Sequence, residues 1–284
     1  MDVSSTLKKL TEERSDQESV FVLFDGALFP AMQKAYEYEG SPQICPVYYG
    51  TRHEEASEAS PCLYAPGNES KVWSLSEAWR DNGIVFTSQA TFSDVLKHLQ
   101  SLISVTLPSG QMAYWRFYSP EWLSLVMEVF ELNDLKAFSG PITQWGAYSG
   151  NEWVVYRGNA PAYAVQEKED GWLSITDAYQ ACWKKIMNER FVQRVASEAH
   201  DRMSAPPEGA SWESEISRLF EIAKNAGYKK TADLERFIWM FLKHPHALES
   251  TECREVIGDG SCPPVRRLDK VEAMLHGVQE NGEP

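Results

Sequence analysis

Asp25, Arg116 and a histidine–cysteine series near the C-terminus are the residues of this 284-residue chain whose types and spacing could do chemistry. Asp25 follows Val20-Phe21-Val22-Leu23-Phe24, an unbroken apolar run that reads as a strand buried on both faces. The carboxyl end of such a strand is where open α/β sheets set their sites, so Asp25 could serve as nucleophile or metal ligand. With Gly26 after it, the same carboxylate can instead cap the turn into the next helix. An aspartyl-nucleophile hydrolase wants a second carboxylate two residues on, and position 27 is Ala. The turn role is the expectation. Arg116 sits between Trp115 and Phe117, and alternation along a strand would place Arg116 and Tyr118 on one face. There the guanidinium either pairs with Asp25 or another buried carboxylate, or meets a partner. His244, His246, Cys253 and Cys262 run in an order that suggests zinc, but the cysteine spacing is too wide for a zinc knuckle and Pro245 is a natural helix stop. No Gly-x-Ser-x-Gly elbow, phosphate-binding loop, His-Glu-x-x-His or Cys-x-x-Cys occurs. The residues therefore assign no catalytic group, no cofactor and no metal. The competing reading is a hydrolase-like enzyme using the Asp25 strand end with Arg116 as anion stabiliser, which requires the two to converge on an open pocket beside a base. A third, a small-ligand module, requires a closed apolar pocket.

The elements that would position these residues alternate. After the strand over 19–25 come a helix over 27–39, a strand over 43–49 held near an edge by Pro46, and a short strand at 62–65. A short helix at 74–79 and a strand at 84–87 follow. Thr91 caps a helix carrying Phe92, Val95, Leu96, Leu99 and Leu102 on one face. Pro108-Ser109-Gly110 turns a hairpin over 105–118, and Pro120 opens the next helix. Strands at 140–145 and 152–157 close the alternation. The fold class is thus α/β, a mixed-sheet N-terminal lobe with flanking helices, followed by a smaller all-helical C-terminal lobe. The division falls at 160/161, with a core over 20–146. In the second lobe a helix over 176–203 ends at the linker candidate 205–209. A helical pair follows, capped by Ser211 and Thr231. Residues 1–19 read as a charged lead-in, and the chain after Ser250 as a polar, loosely held tail.

Composition narrows the function. There are 41 acidic against 27 basic residues, a formal net charge of −14, and neither half is basic. A nucleic-acid binder needs a basic face to release counterions, so that class is excluded. The first ten residues lack the charged and apolar regions of a signal peptide, and no run is long enough to span a bilayer. Five scattered cysteines argue against a disulfide scaffold. A cytoplasmic home is expected. Ten Trp and twelve Tyr are many for this length; most would fill two cores, while a fraction near predicted turns or on short strands should reach the surface. Trp73, Trp79 and Trp145 near turns or on short strands, with Arg116 and Tyr118, are the partner-binding candidates, because Arg, Tyr and Trp dominate interface hot spots.

Seven signals between residues 20 and 146 also resemble, in order, the type VI secretion effector-chaperone (adaptor) family, catalogued as domain of unknown function 4123. They begin with Val20 to Ala27, similar to the family's opening strand and Asp-Gly-Ala turn. Tyr48-Tyr49-Gly50 and Ser60-Pro61-Cys62-Leu63-Tyr64 follow, then Trp73, Trp79 and Gly83. Leu96-Lys97-His98-Leu99-Gln100, Arg116-Phe117-Tyr118-Ser119-Pro120 and Phe138-Ser139-Gly140-Pro141-Ile142 complete the set. Ser119 stands where the family has Asp, and Cys62 where it has an aromatic. The resemblance implies a non-catalytic protein of the bacterial cytoplasm. Such a protein binds a toxic effector as cargo and helps load it, transiently, onto the spike-tip protein of the secretion apparatus. Neither nucleic acid nor membrane is an implied partner. Helix-in-groove or strand-addition contacts would hold the cargo, with the groove between lobes the first place expected.

Overall fold

The computed structural model describes residues 17–159, 168–207 and 209–280; most of the expected lead-in, residues 1–16, lies outside them. The chain divides into two compact units, Met1–Trp183 and Lys184–Pro284.

In the first unit the elements run β1 (Ser19–Phe24), α1 (Ala31–Tyr38), β2 (Gln43–Pro46), β3 (Cys62–Ala65), β4 (Gly83–Ser88), α2 (Phe92–Ser101), β5 (Ser104–Thr106), β6 (Met112–Tyr114), α3 (Pro120–Val129), α4 (Leu132–Ser139), β7 (Ile142–Ser149) and β8 (Glu152–Arg157). Six strands form one sheet in the order β2-β3-β1-β4-β7-β8. The α/β class holds, yet every pairing in this sheet is antiparallel. The hairpin expected at 105–118 forms as a separate two-stranded ribbon, β5–β6. β1 lies inside the sheet with Val20 to Phe24 buried, as an apolar run without alternation requires. Pro46 falls on the edge strand β2, where its missing N–H costs no ladder bond. β7 and β8 are joined through Gly150 and Asn151, both at positive φ, the conformation a tight two-residue hairpin requires.

Both sheet faces are covered. Val20, Val22, Phe24, Tyr64, Trp79 and Val85 belong to one buried cluster that packs under α1 and the 72–82 segment. On the alternate side chains Phe21 stacks on Phe86, Phe86 packs at a tilt against Trp145, and Trp145 stacks on Phe138 of α4. The helix expected at 74–79 is reduced to single 3-10 turns at Ser76–Ala78 and Arg80–Asn82. α4 had no counterpart in the sequence reading, because its eight residues hold too few apolar positions to show a helical period.

α2 is locked to α4 by a buried imidazole. His98 Nε2 lies 2.8 Å from the Phe138 carbonyl, which can only accept, so Nε2 carries the proton. Gly140, at φ +51°, lies against the ring, and a methyl group there would overlap it. Burial holds the His98 imidazole down, at about 4. The first unit reaches beyond residue 160. The Thr106 N–H donates to the Leu173 carbonyl and its own carbonyl accepts the Ile175 N–H, and Trp183 Nε1 donates to the Leu125 carbonyl at 3.1 Å. The compact division therefore falls at 183/184, within α5 (Asp177–Arg202), rather than at 160/161.

The second unit continues with α6 (Trp212–Asn225), α7 (Thr231–Lys243), α8 (Thr251–Gly258) and α9 (Pro264–Glu280). The 205–209 segment lies inside this unit, between α5 and α6, and Glu208 is outside the described residues. Ser211 closes a capping box on α6, and Gly227 at φ +87° ends it. The N-cap of α7 is Lys230, one residue before the expected Thr231. Over its described residues the tail is not loosely held. Cys253 and Ile257 of α8, with Leu268 and Val271 of α9, are buried in the same cluster as Leu219, Phe237 and Phe241. Arg267, also buried, donates to the Ala226 and Ile257 carbonyls and lies over the Tyr228 ring. Among the described residues this buried cation has no carboxylate within ion-pair distance, and it is tolerated because it meets the carbonyl ends of two helices. Sparse apolar residues and the Asp259-Gly260-Ser261-Cys262-Pro263-Pro264 turn hid these helices in the sequence.

Because the His98 pKa is lower in the fold than its ordinary 6.5, the unfolded chain binds the extra proton first, and stability falls as pH drops from about 6.5 towards about 4. Denaturant unfolding should show a loss of about 2 kcal/mol from this group between pH 7 and pH 5. His98→Gln should flatten the pH dependence by that amount; an unchanged slope would mean that His98 is not held neutral.

Candidate functional site

Asp25 stands one residue beyond β1 with no solvent exposure. Its N–H donates to the Asn82 carbonyl at 2.8 Å, and its own carbonyl accepts from Leu28 and Phe29. Oδ1 accepts the Ala27 N–H at 3.1 Å, and Oδ2 accepts from Arg116 Nη2. The carboxylate thus joins β1, the turn into α1 and the loop after β6. Bonding to it raises the Arg116 guanidinium further above its ordinary value. Arg116 keeps part of its side chain in solvent, 42% by area, so the pair is sealed only on the Asp25 side.

Gly26 explains the next position. A methyl group there would overlap the Ser60 carbonyl oxygen, so the turn after Asp25 can approach the start of β3 only without a side chain. Ser60 in turn accepts the Tyr48 N–H on its hydroxyl at 3.0 Å. The Tyr48, Tyr114 and Tyr118 hydroxyls meet one another, with Tyr48 and Tyr118 3.4 Å apart. Beside them His53 packs on Tyr48 and Tyr114, and its Nε2 is 3.1 Å from Ser104 Oγ. Arg52 donates to the same hydroxyl at 2.7 Å and pairs with Asp170 at 3.1 Å. Burial pushes the Tyr114 and Tyr118 phenols up, so both stay protonated at neutral pH. Burial, then the Arg52 charge, pushes His53 down and leaves it neutral. The cluster therefore offers hydroxyl and guanidinium donors at its exposed edge, Tyr114 and Arg116, and no phenolate nucleophile. Tyr114 and His53 carried no sequence signal as site residues, because only the tertiary fold brings positions 48, 53, 114 and 118 together.

Residues 115–118 are not the strand that alternation suggested. β6 stops at Tyr114, and Trp115, Phe117 and Tyr118 are all buried, so Arg116 alone turns outward. Ser119 caps α3 by accepting the Trp122 N–H at 3.3 Å. Ser and Asp are both strong N-caps, so Ser119 fills this position as well as an Asp would. Cys62 is buried on β3, with its thiol pushed up to about 12 by burial. It packs there as a small apolar group that is inert at neutral pH.

Of the partner-binding candidates, Trp79, Trp145 and Tyr118 are corrected: each is fully buried and presents no surface. Trp79 Nε1 donates to Val72 and packs on Phe24 and Trp153; Trp145 Nε1 donates to Ser139. Trp73 is half-buried, its indole N–H bonded to Gly67 at 3.3 Å. Arg116 and Tyr118 share the tyrosine–aspartate cluster, whereas Trp145 lies apart from it. The strongly exposed large apolar side chains are others, among them Leu28, Met32 and Tyr36, spaced by four along α1 and the turn before it. Sequence alone does not show which amphipathic stripe the sheet covers. Among the described residues no group of three His, Cys, Asp or Glu is placed to hold a metal ion, so the 244–262 series is not gathered into a site. No described helix is long and apolar enough to cross a membrane.

The family model described as "Domain of unknown function (DUF4123)" matches residues 20–137. No curated protein and no solved structure matches the chain.

Two substitutions probe this cluster. Gly26→Ala should cost about 2 kcal/mol through the forced retreat of the Ser60 carbonyl. Gly40→Ala, which meets nothing within 4 Å, should stay within about 0.5 kcal/mol of the parent in the same denaturant melts. Arg116→Met should lower stability by about 2 kcal/mol by stranding a buried carboxylate. The double variant Asp25→Asn/Arg116→Met should lose less than the sum of its singles; simple additivity would show that the pair is not coupled.

Proposed function

We propose that this protein is a non-catalytic chaperone or adaptor of a type VI secretion system. It binds an effector in the bacterial cytoplasm and helps load it onto the spike-tip protein. The observation that carries this reading is the family match over 20–137, which covers almost all of the stretch bearing the seven ordered motifs. Their residues act as a framework. Asp25 ties three loops, Gly26 and Gly140 permit close approaches, His98 locks two helices, and Ser119 caps a third. Residues that hold a scaffold together suit a domain whose output is a binding surface. The hydrolase-like alternative draws no support from a carboxylate whose two oxygens are both engaged within the chain. An acidic surface favours cargo with basic contact segments and disfavours nucleic acid.

Tagged protein purified from secretion-competent cells of its own species should bring down one toxin-like protein in stoichiometric amount, identified by mass spectrometry. Deleting the gene for that protein should leave the adaptor alone on the column, and deleting the adaptor should abolish the cargo's secretion. A lone monomer from secretion-competent cells, or secretion that persists without the adaptor, would overturn the proposal.

A further inference from the structure

Within the second unit, α5 and α6 leave a groove of about 280 Å³ between them. Its floor is apolar: Val192 of α5 is half-buried and Phe220 of α6 is buried. The rim is acidic, with Glu189, Glu213 and Glu221 all exposed along it. Glu213 and Glu221 form no ion pair among the described residues, and Glu189 has only Lys185 at 3.9 Å. Lys224, at one end of the groove, is turned over the Phe220 ring and towards Asn188. Towards the first turn of α6 the groove runs on, through the shared residues Gln193 and Glu213, into a second hollow of about 560 Å³. Lining residues run from Asn188 on α5 to Met203, one residue past its end and still bonded back to Ala199, about 22 Å or four turns.

We infer that this α5–α6 groove is the docking site for a basic amphipathic helix of the cargo, whose apolar side chains enter over Val192 and Phe220 while flanking Lys or Arg residues meet the three glutamates. This rests on the adaptor reading above and names the chemistry of its partner segment. Length, apolar floor and charged rim each select the same occupant. A helix of about four turns presents apolar residues at i, i+3, i+4 and i+7, the spacing that a helix-lined groove reads. Two glutamates without internal cations repel an acidic segment and attract a basic one, so charge sets both the on-rate and the choice of partner. A strand added to a sheet edge would use none of these features.

The probe is a fluorescein-labelled 18-residue peptide with leucine at the helical positions just named and lysine elsewhere. An otherwise identical peptide with glutamate for lysine is the counterpart. Titrated with the full chain and read by anisotropy, the basic peptide should bind at least tenfold more tightly than the acidic one and gain helicity on binding. Ser217→Trp, which fills the groove from an exposed position, and Glu213→Lys/Glu221→Lys should each weaken it at least tenfold. Glu54→Lys/Glu55→Lys makes the same change in net charge on an exposed turn of the first unit and should leave binding unchanged. Binding that ignores Ser217→Trp, or that falls equally with the control pair, would overturn the inference and point to the overall charge alone. Co-purification then separates the two readings. Cargo captured equally by the parent and Ser217→Trp proteins would overturn the groove as the cargo site and leave the adaptor reading intact. Groove-dependent peptide binding with no cargo captured by the parent protein would support the basic-helix site and overturn the adaptor role.

Discussion

A carboxylate with no exposure to water must be satisfied from within the chain, and the way Asp25 is satisfied organises the first unit. One oxygen takes the N–H of Ala27 and so shapes the turn into α1; the other takes Arg116 and so pins the loop between β6 and α3. Its backbone reaches Asn82 ahead of β4. Leaving either carboxylate bond unmade would strand charge in low dielectric, which binds the turn into α1 and the loop after β6 to this end of the sheet. Gly26 follows from the same constraint: a turn drawn in by the carboxylate passes too close to the Ser60 carbonyl to carry a side chain.

The tyrosine group extends this arrangement outwards. Tyr48 is anchored through its backbone to Ser60, and Tyr118 through the loop that Arg116 pins, so the two phenols can share Tyr114 only while the Asp25 knot is intact. Tyr114 and Arg116 then remain as the solvent-facing edge of an otherwise buried polar network. Such a network gives specificity of geometry more than net stability, because each buried polar group must recover what desolvation costs.

The two units are built on different economies. The first buries both faces of a sheet with large aromatic side chains stacked across strands and into α4. The second buries helix stripes of ordinary aliphatic and phenylalanine residues, and uses Arg267 to close two helix ends against Tyr228. Its α5–α6 groove leaves Val192 and Phe220 as an apolar floor beneath an acidic rim.

Much of the architecture was legible in residue patterns. The buried run at 20–24, the edge proline at 46, the caps at Thr91 and Ser211 and the stop at Gly227 each act through neighbours in sequence, so local chemistry suffices to read them. Asp25 as a turn residue and Arg116 as its partner were within reach of the same reasoning. The pairing directions of the strands, the burial of Trp79, Trp145 and Tyr118, and the packing of α8 and α9 were not. Whether an aromatic lines a core or a surface depends on which element covers it, and that element lies tens of residues away. An indole looks the same in sequence whether its N–H faces water or, as at Trp79, a buried carbonyl. The sequence by itself determined the local turns, caps and charge balance of this protein. Only the tertiary structure decided which polar groups must satisfy one another, because that follows from desolvation, and desolvation exists only once distant segments have closed over them.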